Sequence, residues 1–289
     1  MSFEASELIL NEDQSIYHLN LHPEDVAETV ILVGDPGRVS KVSAYFDSLD
    51  VEKSKREFVT HTGWFRGKRI SVVSTGIGTD NVDIVLNELD ALVNIDFKEK
   101  KVREPLTRLN LIRLGTSGAI QPDIPVGSIV LSELAIGFDG LLQFYDSGKV
   151  QLADVQFAFL EYTGWSVLKP VPYVVRADPA LCNRLKSETV INGFTATNSG
   201  FYGPQGRSLR LGLEDPEIHQ KLASFRHRGL RITNMEMETA GIFGLAALLG
   251  HAATAVNCIL ANRPNGTFSQ EPSKDIDRLI RYTLEKLTG

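Results

Sequence analysis

Residues 233–249 read TNMEMETAGIFGLAALL, with Glu236 and Glu238 alternating with Met235 and Met237 directly ahead of an apolar run. A carboxylate held that close to a core costs free energy unless donors or a cation meet it, so a polar partner is implied. On a helix, residues two apart point roughly 200° away from one another, whereas in extended chain they share a side. The pattern therefore predicts extended chain through about Met237 and a helix from about Glu238. It makes Glu238 the carboxylate presented at a rim, with Glu236 supporting it through its backbone.

Arginines recur at chain turns. In VGDPGRV (33–39) a strand ends at Gly34, Pro36 sets a turn and Arg38 opens a helix. Backbone N–H groups at such a turn and the helix N-terminus favour anions, and a guanidinium suits phosphate. Taken alone, a plain β-turn with a surface arginine is the commoner explanation. In IRLGTSGA (112–119), Arg113 sits inside an apolar strand, with Gly115 expected as a tight turn and Thr116 as a hydroxyl beside it. An unpaired guanidinium there is expensive, so it needs an anion or a buried salt bridge, with equal weight. In GFYGPQGRS (200–208), Phe201 offers an aromatic face. Gln205 and Arg207 are expected to project from one side of an extended segment. An amide donates and accepts at once, which matches a cis-imide edge, and the arginine can take a second carbonyl. A polar surface loop with a packed phenylalanine is the bland alternative.

Other chemistries are excluded. STGIGTDN (74–81) has Asn81 where a dinucleotide fingerprint has its third glycine, and GTSG (115–118) is not a nucleophile elbow. The six histidines show no metal-ligand spacing, so no metal is expected. Cys182 and Cys258 lie far apart and read as buried or inert thiols. The net charge of −6 repels nucleic acid and anionic membranes, so an anionic ligand must be held by local arginine. No apolar run reaches the ~18 residues of a membrane span. The opening MSFEASELILNEDQS is acidic and lacks the features of a signal peptide, so a cytoplasmic location is expected.

These residues must be positioned by strands and helices that alternate. Strands are expected at 28–35, 68–78 (running into a glycine turn), 110–120, 127–136 and 251–260, and helices at 38–47, 82–93, about 216–228, 238–249 and 274–287. That alternation predicts a single α/β domain over 1–289, with a central mixed, largely parallel sheet flanked by helices on both faces. Ligands in such folds bind at the C-terminal ends of strands, which gathers Gly34, Gly76, Gly115, Glu238 and Asn262 on one rim. The charged stretch 94–109 reads as a solvated loop or helix extension.

Together VGDPGRV, KREF (55–58), STGIG, RLGTSGAIQPDIPVGSIV (113–130), FYGPQGR, NMEMETA (234–240) and ANR (261–263) resemble, in order and combination, the nucleoside phosphorylase family, most closely its uridine phosphorylase branch. The resemblance implies phosphate-dependent, reversible cleavage of the N-glycosidic bond of pyrimidine nucleosides: uridine and phosphate to uracil and ribose 1-phosphate. It implies a phosphate site of Gly34, Arg38, Arg113 and Thr116, with Arg56 contributed by a neighbouring subunit. His18 is implied to reach the ribose 5′-hydroxyl across the same interface, placing the 1–27 segment at a dimer contact. Thr116, Glu236, Met237 and Glu238 are implied at the ribose, and Phe201, Gln205, Arg207 and Arg263 at the base. Arg113, Glu238, Gln205 and Arg207 would carry the chemistry. Phosphate is a co-substrate and no cofactor is implied.

Two departures stand out. Pro204 occupies the position before the glutamine where the family has glycine, and Thr79-Asp80-Asn81 replaces Gly-Pro-Ser. Some relatives hold a monovalent cation at the dimer interface through the equivalents of Glu57, the backbone near Ile77 and that serine; Asn81 argues against it here. Relatives assemble as dimers or as hexamers built from dimers, so a homo-oligomer with shared active sites is expected. A purine nucleoside phosphorylase or nucleosidase of the same fold would place a Ser-Asp pair where Asn262-Arg263 stands. A non-catalytic nucleoside-binding protein would not need three arginines at a separate anion.

Overall fold

The run TVILV forms β1 (Thr29–Val33) and is buried at all five positions, as expected of a strand covered on both faces. The computed structural model describes residues 3–289; the first two residues of the N-terminal segment lie outside it. After β1 come α1 (Pro36–Ser43), β2 (Ser48–Lys55), β3 (Phe58–Phe65), β4 (Lys68–Ser74) and α2 (Thr79–Asn94). β5 (Ile95–Asp96), β6 (Lys101–Val102), β7 (Asn110–Ala119) and β8 (Ile129–Gly137) follow. Then come α3 (Ala153–Thr163), β9 (Tyr173–Arg176), α4 (Pro179–Leu185) and β10 (Val190–Thr197). The chain closes with α5 (Ile218–Ser224), β11 (Asn234–Glu236), α6 (Thr239–Leu249), β12 (Ala252–Asn262), β13 (Thr267–Phe268) and α7 (Pro272–Thr288).

The sheet closes on itself. β7 pairs in parallel with β12, β12 antiparallel with β8, β8 in parallel with β10, β10 in parallel with β11, and β11 antiparallel with β7. From that ring β1, β4, β3 and β2 extend outward in order, while β9 and β13 pair on the outside of β8 and β12. The mixed α/β expectation holds, but parallel pairing does not dominate: among the described residues the main sheet has five parallel and six antiparallel pairings. Hairpins β2–β3–β4 and the antiparallel closure by β12 account for the difference.

Helices cover the sheet by period. α2 buries Val82, Val85, Leu86, Leu89 and Leu92 along one face, and α7 buries Leu279, Ile280, Thr283, Leu284 and Leu287. α6 is buried at every position from Thr239 to Ala246, because it packs between α2 and the ring strands β8, β10 and β12. Gly250 ends it in a left-handed cap (φ 84°). The helix expected over about 216–228 is shorter, only Ile218–Ser224. The stretch 94–109 is not a helix extension but the hairpin β5–β6 followed by a largely exposed loop.

Candidate active site

α6 begins where the sequence pattern placed it. β11 ends at Glu236, Glu238 is the N-cap and Thr239 the first helical residue. The Glu236 side chain is 4% exposed and its oxygens are saturated. They accept from Thr197 Oγ1 (2.6 Å), Glu238 N (2.9 Å) and Thr239 N (3.0 Å), with Arg113 Nη2 at 3.0 Å. Glu236 thus supports the site through its side chain, not its backbone: it caps α6, where a carboxylate meets orphan N–H groups and the helix dipole. Glu238, also buried, accepts from Gly78 N (2.8 Å) and pairs with Arg113 Nη2.

Arg113 therefore lies in a buried salt bridge, the second of its two sequence-level explanations. Its Nη1 also donates to Asn257 Oδ1 (3.3 Å) on β12. Gly115 is not a turn; β7 runs through it to Ala119. The glycine is needed because Arg113 folds across it: a Cβ at Gly115 would stand 1.6 Å from Arg113 Nη1 and 2.4 Å from Asn257 Oδ1. Arg38, 8% exposed on α1, donates to Leu114 O (3.1 Å). Among the described residues no carboxylate lies within ion-pair distance of it. Burial, and then the charge of Arg113, lower its pKa. Arg38 is thus a buried guanidinium without an acidic partner beside the Arg113 pair, chemistry that suits an anion.

A cavity of about 1110 Å³ opens at these groups. Its wall includes Gly34, Arg38, Arg113, Thr116, Glu236, Met237 and Glu238, and with them Phe201, Gln205, Arg207 and Arg263. Eleven of the thirteen residues singled out in the sequence line it. Arg56 and His18 do not. Arg56 is exposed at the β2–β3 turn with φ 55°, and His18 pairs with Glu88 on α2.

Gln205 and Arg207 do not lie on an extended segment. Gly203–Gln205 is a single helical turn closed by Gly206 in the left-handed region (φ 66°). The two side chains still converge: Arg207 Nη1 donates to Gln205 Oε1 (2.5 Å) and Phe201 O (2.7 Å), and its guanidinium lies 4.0 Å over the Phe201 ring. Arg263 clamps this turn, donating to the carbonyls of Gln205 and Gly206 at 2.5 Å each. Behind it stands His219 on α5, which sequence reasoning missed. Burial, with Arg263 and Arg207 nearby, pushes its pKa down to about 4, so it adds no third positive charge at neutral pH. Thr197 and Asn257 were missed as well. Asn257 at least carries a signal, as a polar residue inside the apolar run HAATAVNCIL.

Two buried arginines, a carboxylate at a helix start and an amide–guanidinium pair line one cavity, groups whose chemistry can meet an anion, hydroxyls and an imide edge. The chain belongs to the phosphorylase superfamily, whose family pattern matches residues 28–286. It is 31% identical over 279 residues to the uridine phosphorylase of Thermococcus kodakarensis, covering 94% of this chain and 87% of that one. With the uridine phosphorylase of Treponema pallidum it shares 29% identity over 274 residues, covering 93% and 92%. The crystal structure of a Trypanosoma brucei nucleoside phosphorylase, described as showing uridine phosphorylase activity, superposes with a TM-score of 0.88 at 29% identity. That alignment covers 97% of this chain and 99% of the other.

Proposed function

We propose that the chain catalyses reversible phosphorolysis of pyrimidine nucleosides, converting uridine and phosphate to uracil and ribose 1-phosphate. One observation carries this reading: Arg38 and Arg113 line the same cavity as the paired Gln205 and Arg207. The named relatives support it, since both sequence relatives are uridine phosphorylases.

Phosphate enters between Arg38, Arg113, Thr116 and the Gly34 turn, a positioning and electrostatic role. Arg113 then exchanges its bond to Glu238 for one to phosphate, while Glu238 turns its freed oxygen to the ribose hydroxyls. Arg113 keeps an anionic partner and Glu238 keeps hydrogen-bond donors, Gly78 N among them, which limits the cost of opening a buried pair. Each hydroxyl bond to Glu238 contributes about 1.5–3 kcal/mol, and Met237 packs on the sugar. Phosphate attacks C1′ as the glycosidic bond breaks through an oxocarbenium-like state. The electron pair leaves on the uracil, where the Arg207 guanidinium and the Gln205 amide meet the developing charge, so no general acid is required.

Arg56 and His18, which lie off the cavity of their own chain, are assigned to the site of a neighbouring subunit. The assembly is therefore a homo-oligomer, a dimer or a hexamer of dimers. The reading needs no cofactor beyond the co-substrate phosphate. The interface cation site fits poorly: the Ile77 carbonyl that would face the ion accepts from Asn81 Nδ2 (3.4 Å), and no step is drawn through it. A cytoplasmic location accords with this metabolism; among the described residues no helix is long and apolar enough to cross a membrane.

The test is a panel of uridine, deoxyuridine, thymidine, inosine and adenosine, followed by ultraviolet absorbance with and without phosphate. Uridine turnover that requires phosphate is the expected result. Release of base without phosphate makes the chain a nucleosidase, and faster purine than uridine turnover overturns the pyrimidine assignment.

A further inference from the structure

Glu88, on α2, accepts four bonds from one short stretch of the N-terminal segment. His18 N lies 3.0 and 3.1 Å from its two oxygens, Leu19 N donates at 2.8 Å, and His18 Nδ1 stands 2.6 Å from Oε1. Glu88 does not line the cavity. The other flank of the segment is held by Lys55 on β2, whose Nζ donates to Tyr17 O (2.5 Å) and Asn11 Oδ1 (2.8 Å) and lies 4.3 Å over the Tyr17 ring. The His18 ring also makes edge-to-face contacts with Tyr17 and Phe58.

This geometry has a consequence for the imidazole. An ionised carboxylate only accepts, so the proton must sit on Nδ1. The neutral ring then has Nε2 as a bare acceptor, and among the described residues Nε2 makes no hydrogen bond. A carboxylate on one ring nitrogen sets both tautomer and orientation, as it does behind many functional histidines. We infer that Glu88 is a positioning residue, which fixes His18 with Nε2 turned outward as acceptor for the 5′-hydroxyl of the nucleoside held by the neighbouring subunit. The inference rests on the assignment of His18 to that hydroxyl.

Uridine and 5′-deoxyuridine separate the two statements. In the wild type, kcat/KM for uridine is expected to exceed that for 5′-deoxyuridine, and His18→Ala is expected to bring the ratio close to one. Glu88→Ala and Glu88→Gln are expected to lower the uridine value by about tenfold and leave the 5′-deoxy substrate almost unchanged. Glu88→Gln keeps an acceptor for the two backbone N–H groups, so it decides the matter if the alanine variant does not fold. The 15N shifts of the His18 ring supply a readout that a purely structural role would not move. The wild type should show a protonated Nδ1 and a bare Nε2, and Glu88→Gln, whose amide can donate to Nδ1, should reverse them. A collapsed ratio in His18→Ala with a wild-type ratio in both Glu88 variants overturns the inference alone. An unchanged ratio in His18→Ala removes the His18 assignment and the inference with it.

Discussion

Glu236 and Glu238 are indistinguishable by residue type and differ in what their lone pairs are doing. A carboxylate has about four acceptor sites. Glu236 fills them with Thr197 Oγ1, Glu238 N, Thr239 N and Arg113 Nη2, leaving none for a sugar hydroxyl. Glu238 has a single backbone donor, Gly78 N, besides Arg113. The two should therefore fail differently when neutralised. Glu236→Gln places an amide N–H₂ against groups that donate and halves the charge facing Arg113, so stability should fall by about 3–5 kcal/mol. Glu238→Gln leaves Arg113 with Glu236 and should cost less stability. It should lower kcat/KM for uridine about 10–100-fold through the weakened hydroxyl bonds. Urea denaturation beside steady-state kinetics measures both. A stable, inactive Glu236→Gln together with an unfolded Glu238→Gln would reverse the assignment.

Elements place these residues through approaches that only certain side chains tolerate. Along β7, Arg113 and Gly115 share a face, and the glycine leaves the space that the guanidinium fills. Gly115→Ala must displace Arg113 or push Asn257 away, so it should cost about 1–3 kcal/mol and nearly abolish phosphate-dependent turnover. A variant whose thermal midpoint and KM for phosphate match the wild type would show that Arg113 does not need this path. The same position shows where sequence reading reaches its limit. The strand was legible from its apolar run, whereas α1, expected over 38–47, runs Pro36–Ser43 because Pro36 is its first helical residue behind an Asp35 cap and not a turn. That Gly115 serves a side chain two residues earlier instead of a turn needs β12, whose Asn257 lies beside it and is 142 residues away in sequence. The turn at Gly203–Gln205 was likewise hidden, because Arg263 on a distant strand end fixes its conformation. By contrast, the start of α6 could be read locally, since alternating carboxylates giving way to an unbroken apolar run ended by Gly250 mark a strand that becomes a buried helix.

At the scale of the whole molecule, the ring strands β7, β11 and β12, the start of α1 and the Phe201–Arg207 turn all contribute to one cavity within a single chain. Arg56 and His18 stay outside it. Arg56 projects at an exposed turn next to Glu57, which does line the cavity, and Ile77 at the cavity wall is 67% exposed. An exposed apolar side chain on the cavity wall and an exposed guanidinium next to a lining residue suit a surface that meets its own copy. Subunit mixing tests this directly. Arg38→Ala disables the site of its own chain, whereas Arg56→Ala should disable the site of the neighbour. Each variant alone should be nearly inactive. When the two are unfolded, mixed in equal amounts and refolded, half of the dimers are hybrids, and each hybrid carries one site with both arginines intact. Activity should then recover to about a quarter of the wild-type value per chain, the statistical limit for a two-fold contact that exchanges one residue each way. If Arg56 acted within its own chain, every hybrid site would lack one arginine or the other, and mixing would restore nothing.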